Sequence, residues 1–441
     1  MKRNILKLFS LLVLSLISLQ VLSAQDDRLK TLKVYNWADY IDESLLSEFE
    51  SWYQAETGES VKVIYETFDV NENMLTKIEM GHEDYDVVCP SEYIIERMLR
   101  NKLLLPIQRE FGSTPDYISL VSPFATEKFE QMGDGKIRVS DYAVGYMWGT
   151  TGFLYNTELV DRSDVETWGA LLNPKFRQRI LMKEAYRDVY SAIICYANYS
   201  EILAGNITRD ELVGEVNDDR IRQVEKVLIQ AKPNFFGWEV DFGKEMMTQQ
   251  KAWLNLTWSG DATWAIEEAA EVGVNLDYVV PQEGSNVWFD GWVIPKFARN
   301  IKAASYFINF MCMPENAIRN MEEIGYVSVV ASPEVMESVS DITIHETYDI
   351  SYFFGEGVGA DSLHVNPVLY PDRSVISRCA LMHDCADKTE AMLSMWSRIK
   401  GDNLDSKMIF LILVVLCGLL AMFVYRRIGN KKKKRRKRMR R

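Results

Sequence analysis

Histidine is the scarcest chemistry-bearing residue in this chain, with four in 441 positions, and none of His82, His345, His364 or His383 stands in a recognisable pattern with a serine or a cysteine. The sequence contains no GxGxxG, no GxxxxGKS/T, no HExxH and no GxSxG. Phosphate-cradling loops, the helical zinc pair and the nucleophile elbow are therefore missing. Catalytic groups can converge in space from distant positions, so these absences lower the case for an enzyme without removing it. No cofactor and no metal are expected. Cysteine is also sparse: six are scattered along the chain, five of them outside the long apolar run that holds Cys417. An odd, scattered set does not make a disulfide scaffold. Cys379 and Cys385 flank His383 at a spacing that fits no standard zinc pattern, so a local disulfide and two free thiols both stay open.

Acidic residues are absent from both ends of the chain. Lys2, Arg3 and Lys7 precede an apolar run, Leu8 to Leu22, which closes on the small residues Ser23 and Ala24. That order predicts a secretory signal peptide over 1–24, and no cysteine follows it to carry a lipid. At the other end, Met408 to Tyr425 is a run of 18 uncharged residues. As a helix it would span about 27 Å, just enough for a bilayer core. The tail behind it, 426–441, holds 12 basic residues and no acid, the pattern that stays cytoplasmic. These features predict a protein on the outer, periplasmic face of a bacterial cytoplasmic membrane, anchored by a C-terminal transmembrane helix with its tail in the cytoplasm. Setting aside the twelve cations of the tail and three of the leader takes the formal charge from −13 to −28. So acidic a body disfavours nucleic acid and attracts cationic solutes, although the same charge also serves simple solubility.

The remainder, about 31–400, is long enough for two domains of ordinary size. Leu32 to Asn36 reads as a strand, Leu45, Leu46, Phe49, Trp52 and Tyr53 recur at helical spacing up to Gly58, and Val61 to Tyr65 reads as a second strand. A helix over Asn73 to Met80, stopped by Gly81, leads to a third strand, Tyr85 to Cys89, closed by Pro90. Strand and helix alternating in this way predict a mainly parallel sheet in an α/β fold. Ligands of such sheets sit beyond the carboxyl ends of strands, where Trp37 to Tyr40 and Ser91 to Tyr93 fall. Ile137 to Tyr155 reads as extended chain, a place to cross between domains, and 333–375 as loops and short elements. No internal repeat is present.

What the chain does offer is aromatic residues beside carboxylates. Trp37 has Asp39 and Tyr40, Trp258 has Asp261, Trp288 has Asp290, and Tyr186 and Tyr190 flank Asp188. Ring faces attract alkyl ammonium groups by about 0.5 to 2 kcal/mol. A carboxylate supplies the countercharge, and methylenes gain about 0.8 kcal/mol each on burial. With 11 Trp, 21 Tyr and 63 acids, any single pair reads equally well as core packing.

Longer stretches carry a resemblance. YNWADYI and VKVIYETFDVNENMLTKIEMGHEDYDVVCPSEY, followed by YMWGTTGFLYN, VETWGALLNPKF, LTWSGDATWA, VWFDGWVIP and INFMCMPENAIRNMEEIGY, resemble in order the bacterial spermidine/putrescine-binding proteins of polyamine ABC transporters. The resemblance covers roughly 31–330. It implies a two-lobed periplasmic binding protein of type II, hinged, with 31–147 and 289–330 in one lobe and 148–288 and 331–400 in the other. It implies a polyamine ligand and a permease with its ATPase as partners. It also implies a set of ligand-binding positions: Trp37, Asp39, Tyr40, Ser91, Tyr93, Glu184, Asp188, Trp258, Asp261, Trp288, Asp290 and Tyr326. Where spermidine binders have a second acid three residues before Asp188, this chain has Ala185 with Glu184 next to it, and the family's late glutamine falls on Met382. These departures leave putrescine and spermidine both open. A same-fold binder or tethered sensor for another small cationic solute is the alternative.

Overall fold

In the computed structural model the described residues are 28–401, except Asp241, together with Val414. The expected leader 1–24 and basic tail lie outside them. The expected C-terminal transmembrane helix must be corrected. No helix among the described residues is long and apolar enough to cross a membrane, and 408–425 lies outside those residues apart from Val414. The architecture of the described residues is the two-lobed α/β binding-protein fold, and the transmembrane helix and the anchored location inferred from it are withdrawn.

The opening alternation forms as its pattern predicts. Strand β1 (Thr31–Trp37) is followed by helix α1 (Ser44–Thr57), β2 (Lys62–Phe68), α2 (Asn71–Glu79), β3 (Val87–Val88) and α3 (Glu92–Arg100). Helix α1 buries Leu45, Phe49 and Tyr53, one face at four-residue spacing. It stops at Gly58, which takes the left-handed conformation (φ 73°) that glycine reaches without steric cost. Each such fully buried side chain contributes about 1.5 to 3 kcal/mol. β1 pairs in parallel with β2 on one side and β3 on the other.

Two long strands, β5 (Ala143–Asn156) and β10 (Ser285–Pro295), run through the middle. Every residue of both is buried, which is why they read as near-continuous apolar and aromatic runs rather than alternating ones. Around them the sheet order is β2-β1-β3-β10-β5-β8-β6-β7, with β6 at Ile180–Lys183, β7 at Phe235–Glu239 and β8 at Leu254–Trp258. The first part of β5 pairs antiparallel with β10. Its second part pairs with β8 and with β9 (Leu276–Val279). One strand thus belongs to both halves of the molecule.

The sheet's register shifts between Asp290 and Gly291, because Asp290 faces Met147 while Gly291 faces Gly145. Tyr146 is the extra residue. A bulge of this kind re-aims side chains and often sits beside a site. The chain after β11 (Val327–Ser328) returns to the first half. Val330 bridges Val121, and the Ser122 hydroxyl donates to the Phe353 carbonyl at 2.6 Å. β12 (Cys379–Leu381) lies parallel to the start of β10. The chain divides into two compact units at Thr389/Glu390, and all of the strands above lie in the first. The described part of the second is the helix Thr389–Gly401 from Glu390 onward, together with Val414.

Candidate functional site

Two buried carboxylates organise the region where the halves meet. Asp290, on β10 beside the bulge in β5, accepts from the Tyr40 hydroxyl at 2.9 Å and the Ser91 hydroxyl at 2.7 Å. Tyr40 can reach it because Asp39 holds a positive φ of 51° at the end of β1 and turns the chain. Ser91 begins α3, and Asn71 ties it to Tyr93 by donating to both hydroxyls at 3.0 Å. Burial pushes the Asp290 carboxyl up to about 6. The Ser91 and Tyr40 hydrogen bonds pull against that rise, and repulsion from Asp188 adds to it. The Trp37 indole favours the charged form without reaching hydrogen-bond geometry.

Asp188, in the first turn of α5 (Tyr186–Ala197), accepts from Thr151 at 3.0 Å, Asn286 at 2.8 Å and the Trp258 indole at 3.2 Å. Burial raises its carboxyl above the ordinary range even against those three donors. Each donor comes from a different strand: β5, β10 and β8.

Aromatic rings connect the carboxylates. Trp258 and Trp288 meet edge to face at 6.3 Å, Trp288 and Tyr326 at 5.4 Å, and Tyr326 and Tyr40 at 5.7 Å. Two glycines permit this. A Cβ on Gly149 would stand 2.5 Å from the Trp288 ring, and one on Gly260 would stand 2.4 Å from the Tyr326 ring. Only the bare backbone lets those rings lie flat against it.

Ten of the twelve expected positions are linked here through these contacts: Ser91, Tyr93, Trp37, Tyr40, Asp290, Trp288, Tyr326, Trp258, Asp188 and Asp261. The structure does not bring Asp39 and Glu184 into the buried cluster: Asp39 serves the turn with an exposed side chain, and Glu184 is also exposed. Met382 packs its sulfur 3.7 Å from the Asn286 amide. Cys379 and Cys385 carry separate, buried thiols. Among the described residues no cluster of three or more acids, histidines or cysteines could hold a metal ion. Two cavities lie apart from the paired acids. One of about 200 Å³ lies behind Tyr326 against Met321 and Tyr370, and one of about 670 Å³ is bordered by Trp52, Phe310 and Arg319.

The sequence also matches, over residues 48–342, the family of bacterial extracellular solute-binding proteins. The chain belongs to that family. Its relatives include the spermidine/putrescine-binding periplasmic protein of Salmonella typhimurium, 26% identical over 378 residues that make up 84% of this chain and 92% of the relative. The putrescine-binding periplasmic protein PotF of Escherichia coli is 26% identical over 71% of this chain and 82% of its own length. Among solved structures, the spermidine/putrescine ABC transporter substrate-binding protein PotD of Streptococcus pneumoniae superposes with a TM-score of 0.62 at 29% identity, covering 84% of this chain and 98% of the other. The resemblance drawn from the sequence is upheld, and the chain is a solute-binding protein rather than an enzyme.

Several residues of this solute-binding protein escaped the sequence reading. Thr151 lies in the run read as extended chain and Asn286 on a strand the pattern did not single out, and nothing in the neighbourhood of either marks it as a donor to Asp188. Glu92, fully buried, accepts from the Phe289 amide at 3.1 Å and is pushed well up by burial, with Asp290 nearby. It lies between Ser91 and Tyr93, both singled out, but an acid at a helix start ordinarily reads as a surface residue. Lys183 and Glu239 join Asp261 in a buried ionic group. No local signal predicts that pairing, because the three lie on β6, β7 and α7 (Ser259–Glu271).

Proposed function

We propose that this protein is an extracytoplasmic receptor for a polyamine, taking one ammonium on Asp290 and another on Asp188. One observation carries the reading: both acids are buried, and among the described residues both take hydrogen bonds only from neutral groups. An ionised carboxylate withdrawn from water without a cation is costly, and a ligand ammonium removes that cost. Trp37, Trp258, Trp288 and Tyr326 offer ring faces to the hydrocarbon between the amines, at about 0.8 kcal/mol per methylene, and to the ammonium groups themselves. Relatives named for spermidine and putrescine binding support the same ligand class.

The two acids with their donors fall in different halves, Asp290 with Tyr40 and Ser91 in the first and Asp188 with Thr151, Trp258 and Asn286 in the second, so an amine placed between the acids favours the closed arrangement over an open one. The closed, loaded form then delivers its ligand to an ABC permease, as the name of the PotD structure suggests for that protein. Titration calorimetry of the purified chain with putrescine and spermidine tests the reading. Binding of at least one is expected, and Asp290→Asn should weaken it by about 3 kcal/mol, roughly 100-fold. No heat from any polyamine at millimolar concentration would overturn it.

A further inference from the structure

The third acid expected to meet an amine, Asp261, already has one. The Lys183 ammonium lies 2.6 Å from its carboxylate and 4.2 Å from the centre of the Trp258 ring. The same nitrogen is 3.5 Å from Glu239 and donates to the Val240 carbonyl. Lys183 is 1% exposed. An ammonium held by a carboxylate and set over an indole face is the arrangement inferred above for the ligand, made here by the protein's own side chain.

We propose that Lys183 is a resident ammonium that fixes the length of ligand the cleft accepts, filling the amine position at the Asp261 end so that the site takes a diamine and excludes a triamine. The inference rests on the polyamine reading of the site. Charge supports it. Lys183 and Lys244, the latter 3.5 Å from Asp261, balance Asp261 and Glu239, and burial pushes Glu92, which accepts from the Phe289 amide, toward its neutral form. That leaves Asp188 and Asp290 as the two acids for ligand charge. A third ammonium would meet a neutralised carboxylate and a lysine of its own sign. The Tyr326 hydroxyl, donating to Asp261 at 2.9 Å, takes up a further acceptor position. Burial pushes the Asp261 carboxyl up, but the two lysines outweigh burial and hold it below its ordinary range. Its charge is thus already committed.

The test is a panel of putrescine, cadaverine, spermidine and spermine measured by calorimetry and thermal shift on the full chain, on Lys183→Met, and on Lys183→Met with Glu239→Gln. The double variant removes one buried acid together with the lysine and guards against simple misfolding. The wild-type chain should bind a diamine at least tenfold more tightly than spermidine. In whichever variant folds, the ratio should move toward spermidine by tenfold or more, because the ligand's third ammonium takes the place of the lysine nitrogen. A wild-type chain that binds spermidine as tightly as putrescine, or a folded variant with an unchanged ratio, would overturn the role of Lys183 while leaving the polyamine reading intact. Absence of binding for all four amines would remove that reading and this inference with it.

Discussion

The Tyr186 hydroxyl donates to the Glu72 carboxylate at 2.8 Å, joining the start of α5 in one half to α2 in the other. Near it the Arg187 guanidinium lies 5.7 Å from the Tyr93 ring centre. Both contacts join residues of the two halves. A hydrogen bond to a partly exposed carboxylate is worth about 1 kcal/mol net. Tyr186→Phe should therefore weaken polyamine binding by about fivefold through a faster dissociation rate, with the melting temperature of the ligand-free chain almost unchanged. Stopped-flow or surface-binding kinetics would check this, and an unaltered off-rate would mean the contact does not hold the closed form.

Affinity should depend on pH through Asp290. Burial holds its carboxyl at about 6, above the ordinary carboxylate value of 3.8, so the ligand-free fold holds this proton more tightly than the unfolded chain does. Its contribution to stability is then greatest below about pH 4 and declines as pH rises toward 6. An incoming ammonium needs the charged form. Binding near pH 5.5 should release protons, and affinity should fall about tenfold per unit as pH drops below 6. Calorimetry in buffers of different ionisation enthalpy measures both. Flat affinity from pH 5 to 7 would show that Asp290 does not meet the ligand's charge.

Gly260→Ala places a methyl group where the Tyr326 ring lies, 2.4 Å away, against flat aromatic carbons rather than a flexible tail. The ring must move, and with it the hydrogen bond from Tyr326 to Asp261. A cost of about 1 to 3 kcal/mol is expected from such overpacking. It should appear mainly as a loss of ligand affinity, since the contact joins the two halves, and only in part as a lower melting temperature. Equal losses in both would place the strain in the fold instead.

Far from the cleft, Asp86 carries structural weight. Fully buried, it pairs with Arg28 at 2.9 Å and accepts from the backbone amides of Lys33, Arg299 and Asn300 at 2.8 to 2.9 Å. Asp86→Ala leaves the three amides without that acceptor, while Arg28 keeps Asp84, and breaking a buried pair costs about 3 to 5 kcal/mol. Denaturant unfolding should show that loss, while polyamine affinity in the folded fraction stays close to wild type.

Much of the molecule was legible beforehand. The first three strands and their helices follow from hydrophobic period, Gly58 and Pro90. The crossing strand was legible as the extended run around Gly145, Gly149 and Gly152, although the regular strand begins only at Ala143, after a short turn of helix. Asp39 illustrates the limit. An acid between Trp37 and Tyr40 reads as part of the binding wall, but the turn that aims Tyr40 inward sends Asp39 outward. Adjacency in sequence does not decide direction.

Residue order alone accounts for the periodicity of the elements, the supply of aromatic rings and acids, and membership of a solute-binding family, because these depend on neighbours along the chain and on ordered motifs. Which buried acids meet a cation of the protein's own is settled only once the chain is folded. Asp188 and Asp290 end among neutral donors, whereas Asp261 ends against Lys183, and that difference arises from strands brought together across the sheet, where the field at a carboxylate depends on distance through space rather than on position in the chain.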